Sequence, residues 1–242
     1  MTYRMLHLAE TDSTNRYLRE LEGDDDVVAW ADYQTAGRGC GTNTWESERG
    51  QNLLFSVRCH PKRVAASRQF LLLEAMALAV KDALEGWLPG EQLTVKWPND
   101  IYWHDRKLAG TLSECQLGGQ TIRQCIIGTG VNLNQTVFVS DAPNPVSMAQ
   151  IRGERLDIEA VLQRIVSCWS YRLNQTEEGG GERLHADYCA ALYRLAGCYS
   201  WRDAHGSFQA TIHGVEPDGT LLLTDSSGRR RSYRFKEVQY VI

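Results

Sequence analysis

Four short stretches carry side chains able to do chemistry. Gln34-Thr35-Ala36-Gly37-Arg38-Gly39-Cys40-Gly41 alternates three glycines with an arginine and a cysteine, directly after an apolar segment. Each glycine removes a side chain and permits positive φ, so backbone amides can approach an anion together. Arg38 adds a planar cation able to grip a carboxylate or phosphate through two hydrogen bonds. A structural glycine turn between strands reads equally well. The second stretch is KWPNDIYWHDRKLAGT, residues 96–111. Its proline fixes a turn ahead of Asn99 and Asp100, Lys107 opens an apolar strand, and Gly110 leaves room for a ligand. A solvated edge lysine is the plainer account of that spacing. The third, GTGVNLN, sets Gly128 and Gly130 before Asn132, as a tight sheet turn or an amide contact. The fourth, ETDSTNRYL, offers Ser13, Thr14 and Asn15 ahead of a helix, where all three residue types also make good N-caps.

The common nucleotide motifs do not fit. There is no G-x-x-x-x-G-K-[ST], and the glycine stretch lacks the third Rossmann glycine and the helix that it opens. Phosphate binding by this loop would lie outside those folds. Cys40 as a nucleophile is disfavoured, because no histidine lies near it in sequence.

The elements that must position these residues read as a mixed sheet with helices. Residues 27–33 and 53–58 have the texture of buried strands flanking the glycine loop. From 67 to 86, strong helix formers with apolar residues nearly all round predict a buried helix ending at Gly86. Short strands are expected at 93–97, 101–103, 108–117 and 121–127, and helices at 157–175 and 182–194. TEEGGGE looks the most flexible joint between those helices. Beyond Gly197 short alternating runs are separated by HG, PDG and SSG turns, the pattern of a small β-barrel. The expected class is α+β, with a catalytic unit over 1–195 and an SH3-like unit over 196–242.

The chain has 242 residues, 43% hydrophobic, enough for one large domain and a small appendage. Lys plus Arg number 26 against 30 Asp plus Glu, a net charge of −4 that argues against bulk binding to nucleic acid. Seven cysteines, at 40, 59, 115, 125, 168, 189 and 198, show no C-x-x-C pair and an odd count, which argues against a disulfide framework and for a cytoplasmic setting. No stretch is long and apolar enough to predict a membrane span. The DDD run at 24–26 and the RRR run at 229–231 read as solvated turns.

Taken in order, DSTN, QTAGRG, KWPND, RKLAG and GTGVNLN resemble the signatures of biotin protein ligases, the biotin-[acetyl-CoA-carboxylase] ligases. The resemblance covers residues from about 10 to 135 closely. It implies a mixed-sheet catalytic domain, a small SH3-like domain after it, and a two-step reaction. Biotin and Mg-ATP give biotinyl-5'-AMP and pyrophosphate; a lysine ε-amine of a biotin carboxyl carrier protein then takes the biotinyl group, releasing AMP. By matching position, Ser13, Thr14 and Asn15 are expected to line the biotin pocket. Gln34, Gly37, Arg38, Gly39 and Cys40 are expected around the carboxylate and its phosphate, with Gly110 in the pocket wall. Arg38, Lys107 and Asp100 are the expected catalytic groups. Asp100 is expected to orient or deprotonate the acceptor amine, or to hydrogen-bond biotin or the adenylate. Trp45, Asn99 and Asn132 join Arg38 and Lys107 in the expected nucleotide site, and no protein metal site is expected.

Two departures from the family pattern stand out. Cys40 occupies the place where an arginine or other polar residue often follows Gly-Arg-Gly, and Gly41, Thr42 and Asn43 replace residues that are often basic. A weaker grip and faster escape of biotinyl-AMP are expected. DSTN begins at residue 12, which leaves no room for the DNA-binding domain some relatives carry, so no DNA partner is expected. A monomer or homodimer would satisfy the pattern. The rivals are a lipoate or octanoate ligase and a non-catalytic biotin sensor, which would not need Lys107.

Overall fold

A computed structural model describes residues 3–39, 41, 43–88, 93–140 and 144–242. In chain order its elements are β1 (Arg4–Leu8), α1 (Thr14–Glu20), β2 (Val27–Ala31), β3 (Leu53–Cys59), α2 (Phe70–Glu85), β4 (Leu93–Lys96), β5 (Asp100–Trp103), β6 (Arg106–Gly118) and β7 (Thr121–Val131). There follow α3 (Met148–Arg152), α4 (Ile158–Glu177), α5 (Gly181–Ala190), β8 (Tyr199–Asp203), β9 (Gly206–Val215), β10 (Leu221–Asp225), β11 (Arg230–Tyr233) and β12 (Val238–Tyr240). Seven strands form one sheet, ordered β1-β2-β3-β7-β6-β5-β4. Only β1 and β2 run parallel; the other neighbours are antiparallel.

Period-two alternation sends the sheet's side chains to two apolar layers. Val28 and Ile127 join the large core beneath α2 and α4, whereas Val27, Ala29 and Ile126 pack with Leu18 of α1. The helix α2 is buried on nearly every side, as its sequence predicts, and each fully buried Leu or Met in it contributes about 2 kcal/mol over exposure. Every residue of β3 is buried, including Arg58. Its guanidinium donates to the carbonyls of Leu21 at 2.7 Å, Asp25 at 3.0 Å and Leu18 at 3.3 Å. That cation closes the C-terminal end of α1, where orphan carbonyls favour positive charge.

The expected β-module is a five-stranded antiparallel sheet, ordered β11-β10-β9-β8-β12. Gly206, Gly219 and Gly228 take φ of +123°, +91° and +85° in the HG, PDG and SSG turns. This sheet docks against the first: Trp97 Nε1 donates to the Gly219 carbonyl at 2.9 Å, and Arg194 donates to the Val241 carbonyl at 2.9 Å.

Several boundaries differ from expectation. The helix expected at 182–194 stops at Ala190, and α4 runs on to Glu177, leaving residues 178–180 as the joint with α5. Two elements were not anticipated: β1, whose short exposed pattern gave little periodicity, and α3, closed by a Ser147–Gln150 capping box. The cysteine reading also changes. Cys115 on β6 sits opposite Cys125 on β7 with their Cα atoms 4.1 Å apart, and their sulfurs form a disulfide. A ten-residue separation is no cysteine motif; only the strand register creates the pair. Cys59, Cys168, Cys189 and Cys198 stay free.

Candidate active site

One cavity of about 1300 Å³ opens along the upper surface of the sheet and gathers most of the residues expected from sequence. Its deep end is the start of α1. Ser13 occupies the N-cap position, yet its side chain makes no capping bond, so the capping account of Ser13-Thr14-Asn15 fails. These side chains instead meet a polar network. Gln34 Oε1 accepts from Thr14 N at 2.7 Å and from Thr14 Oγ1 at 3.0 Å. Ser56 Oγ lies 2.7 Å from Thr14 Oγ1 and 2.6 Å from Asn15 Oδ1. Asn15 Nδ2 donates to Glu114 Oε2 at 3.0 Å, and Glu114 also meets Arg19 at 2.6 Å.

The middle of the cavity is cationic. Lys107 Nζ stands 2.8 Å from Asp100 Oδ1 and 5.7 Å from the Trp45 ring centre. Sheet register explains this meeting, because Asp100 pairs with Gly110 and Gly110 with Gly130 across β5, β6 and β7. Missing side chains make the floor. A Cβ at Gly110 would press on both Asp100 and Lys107 at 3.1 Å. One at Gly130 would lie 2.7 Å from Trp45 Nε1, and one at Gly128 2.9 Å from Asn15 Cγ. The glycines of GTG are therefore seats for the indole and the amide. The Trp45 Nε1 donor is buried and unpartnered, a position that a ligand acceptor would satisfy.

Gly37, Arg38 and Gly39 pair antiparallel with residues 43–45 as the two arms of a hairpin. Gly39 N donates to Asn43 O at 2.8 Å and Trp45 N to Gly37 O at 3.0 Å. Arg38 is half-exposed and reaches Glu114 at 3.8 Å. Gly39 lines the cavity, but Gly37 does not. A Cβ at Gly37 would meet the Trp45 carbonyl at 2.8 Å, so that glycine serves the hairpin. Cys40 lies outside the described residues. Asn99 and Asn132 line the cavity with their amide groups engaged by the chain: Asn99 donates to the Thr111 carbonyl, and Asn132 Nδ2 to the Val146 carbonyl at 3.2 Å.

Several residues in or behind the lining were missed in the sequence. Ser56, which bonds the lining residues Thr14 and Asn15 without lining the cavity itself, is the one uncharged polar residue in LLFSVR. Lys96 stands inside KWPND, and its ammonium faces the rings of Tyr102 at 5.2 Å and Tyr240 at 5.1 Å. Burial pushes that ammonium below the usual lysine range, with Asp100 pulling it back and Lys107 adding to the fall. Burial also pushes the Glu46 carboxyl up, but hydrogen bonds from Ser140, Val139 and Gln135 outweigh this and hold it below the usual range. The C-terminal sheet supplies Phe235, Lys236 and Tyr240 to the rim, which no local pattern announced. Among the described residues, no three His, Cys, Asp or Glu side chains converge on a metal position.

A polar recess leads into a cationic channel beside an unsatisfied indole, an arrangement suited to a neutral polar ring joined to an anion. Comparison with known proteins agrees. Residues 8–132 match the family model of the biotin/lipoate A/B protein ligase family. The chain is 29% identical over 231 residues to the bifunctional ligase/repressor BirA of Bacillus subtilis, covering 93% of this chain and 70% of that protein. It is 29% identical over 230 residues to the biotin–[acetyl-CoA-carboxylase] ligase of Paracoccus denitrificans, covering 92% and 95%. The fold superposes on the biotin protein ligase of Aquifex aeolicus in complex with biotin and ATP with a TM-score of 0.82 at 24% identity, over 99% of this chain and 100% of that one. The chain belongs to the biotin/lipoate A/B protein ligase family.

Proposed function

We infer that this chain is a biotin–[acetyl-CoA-carboxylase] ligase, which makes biotinyl-5'-AMP from biotin and ATP and transfers the biotinyl group to a carrier lysine. The observation that carries this reading is the pairing of a recess lined by Ser13, Thr14 and Asn15, the last two held by Ser56, with the Lys107–Asp100 pair in one cavity. A ureido ring offers N–H donors and a carbonyl acceptor to that recess. A dithiolane ring offers no such partners and would leave buried polar groups unpaired, at about 1–3 kcal/mol each.

In the first step a biotin carboxylate oxygen attacks the α-phosphorus of ATP. The bond from that phosphorus to the bridging oxygen breaks, and pyrophosphate leaves with the electron pair. Lys107 and Arg38 offset the negative charge that gathers on the phosphorus oxygens. Magnesium would arrive on the phosphates of the nucleotide. In the second step the carrier amine attacks the acyl carbon and AMP departs. An ordinary lysine, with pKa about 10.4, is neutral about once in 2,500 molecules at pH 7, a cost near 4.6 kcal/mol. Burial holds the Lys96 ammonium of this cavity below the usual lysine range, and the same loss of hydration on entry would lower the cost for the carrier lysine.

A biotin carboxyl carrier domain is the partner we propose, and the cytoplasm the setting. Pyrophosphate release assayed with ATP and either biotin or lipoate tests the reading. Release with biotin alone is expected; release with lipoate at the same rate would reject it.

A further inference from the structure

Four cationic side chains border the cavity, Arg38, Lys96, Lys107 and Lys236. Three have partners within the protein: Glu114 for Arg38, two tyrosine rings for Lys96 and Asp100 for Lys107. Among the described residues, Lys236 has neither an ion pair nor a ring contact. The cavity's carboxylates are committed elsewhere, since Asp100 pairs with Lys107 and Glu46 accepts from the amides of Val139 and Ser140 at 2.8 and 2.9 Å.

Position makes this charge informative. Lys236 belongs to the turn between β11 and β12, closed by a bond from Glu237 N to the Arg234 carbonyl at 3.1 Å. Its φ is +71°, a left-handed conformation that lysine rarely adopts and that glycine would fill more easily. Such an outlier is kept where its surroundings hold it, and it points to use of the side chain. Phe235 packs edge-on against Trp97 with ring centres 6.1 Å apart, and buried Val238 anchors the other side. The side chain leaves the C-terminal sheet and lies against Gly41 of the glycine hairpin. A Cβ at Gly41 would collide with the ammonium and stand 3.2 Å from Lys236 Cε. From Gly37 to Trp45 that hairpin carries one basic side chain of its own, Arg38.

Lys236 lines the same cavity as Ser13, Thr14 and Asn15, but it and Gly41 are exposed whereas those three are buried. With the biotin ring beside Ser13, Thr14 and Asn15 and the α-phosphorus by Lys107, Lys236 is the cation left for the β- and γ-phosphates. We propose that Lys236 binds the diphosphate part of ATP that leaves as pyrophosphate, so that the C-terminal sheet supplies a cation to the first half-reaction alone. This rests on the ligase reading.

The full-length chain, Lys236→Met, which keeps the stem and removes the charge, and Lys236→Arg provide the test. Lys236→Met is expected to raise the KM for ATP about tenfold, the loss of one charge-assisted hydrogen bond. It should weaken inhibition by pyrophosphate by a similar factor. The KM for biotin and single-turnover transfer from supplied biotinyl-5'-AMP stay unchanged, and Lys236→Arg restores ATP binding. An unaltered KM for ATP overturns the proposal, as does an equal loss in the transfer step. Titration of inorganic pyrophosphate into wild type and Lys236→Met by calorimetry separates the two readings. Weaker binding to the variant supports Lys236 even if wild type fails to activate biotin, which would sink the ligase reading instead.

Discussion

Asp100 shows how one side chain can change role between sequence and structure. Its spacing after Pro98 allowed a base for the acceptor amine, whereas in the fold its carboxylate holds the Lys107 ammonium at 2.8 Å. A pair only partly exposed orients the lysine more than it stabilises the protein, because much of the attraction is offset by lost hydration. Asp100→Asn is therefore expected to slow adenylate formation and transfer by a similar factor, about tenfold to a hundredfold, in single-turnover measurements of each step. Loss confined to transfer would return Asp100 to the acceptor amine. A place in the cavity was legible for Lys107 and Arg38, whose residue types and motif order sufficed. The roles of Ser56 and Glu114 were illegible, because these become polar partners of α1 only once β3 and β6 lie beneath it.

At the scale of elements, the site is a product of strand register. β6 and β7 set Gly110 opposite Gly130 and Leu112 opposite Gly128, and the bare backbone receives an indole at one position and an amide two residues away. The two glycines should therefore separate the two substrates. Neither has the left-handed backbone that would make alanine strained, so both variants should fold. Gly130→Ala would drive a methyl into the Trp45 ring and is expected to raise the KM for ATP roughly tenfold with little change for biotin, in line with overpacking costs of about 1–3 kcal/mol. Gly128→Ala would displace Asn15 and should do the reverse. Identical effects on both substrates would refute this division of the floor. The strands themselves were readable from β-branched runs, but their pairing was not, which is why the Cys115–Cys125 disulfide went unforeseen.

Across the whole molecule, the two sheets are joined at a buried titrating pair. Glu74 on α2 is fully buried, 2.7 Å from His185 Nδ1 on α5, and His185 Nε2 donates to the Val215 carbonyl of β9 at 2.9 Å. A carbonyl only accepts, so Nε2 carries a proton and Nδ1 faces the Glu74 carboxyl. Burial pushes the Glu74 carboxyl up from 4.5 to about 7, against the pull of His185. A raised folded value means that the folded state holds the proton more tightly. The stabilisation is complete below pH 4.5 and is lost as pH rises to about 7, by about 3 kcal/mol at most. The stability advantage of wild type over Glu74→Gln, from urea unfolding on either side of that window, should shrink with rising pH; a constant gap would count against the pair. Sequence by itself determined the family, the α+β class and most of the side chains that line the cavity, because motif order, periodicity and turn chemistry are local properties of the chain. Only the tertiary structure decided that Asp100 meets Lys107, that GTG seats Trp45 and Asn15, and that Lys236 of the second sheet reaches the glycine hairpin. Those contacts join residues up to about two hundred positions apart in the chain, and register and docking, which no local pattern encodes, bring them together.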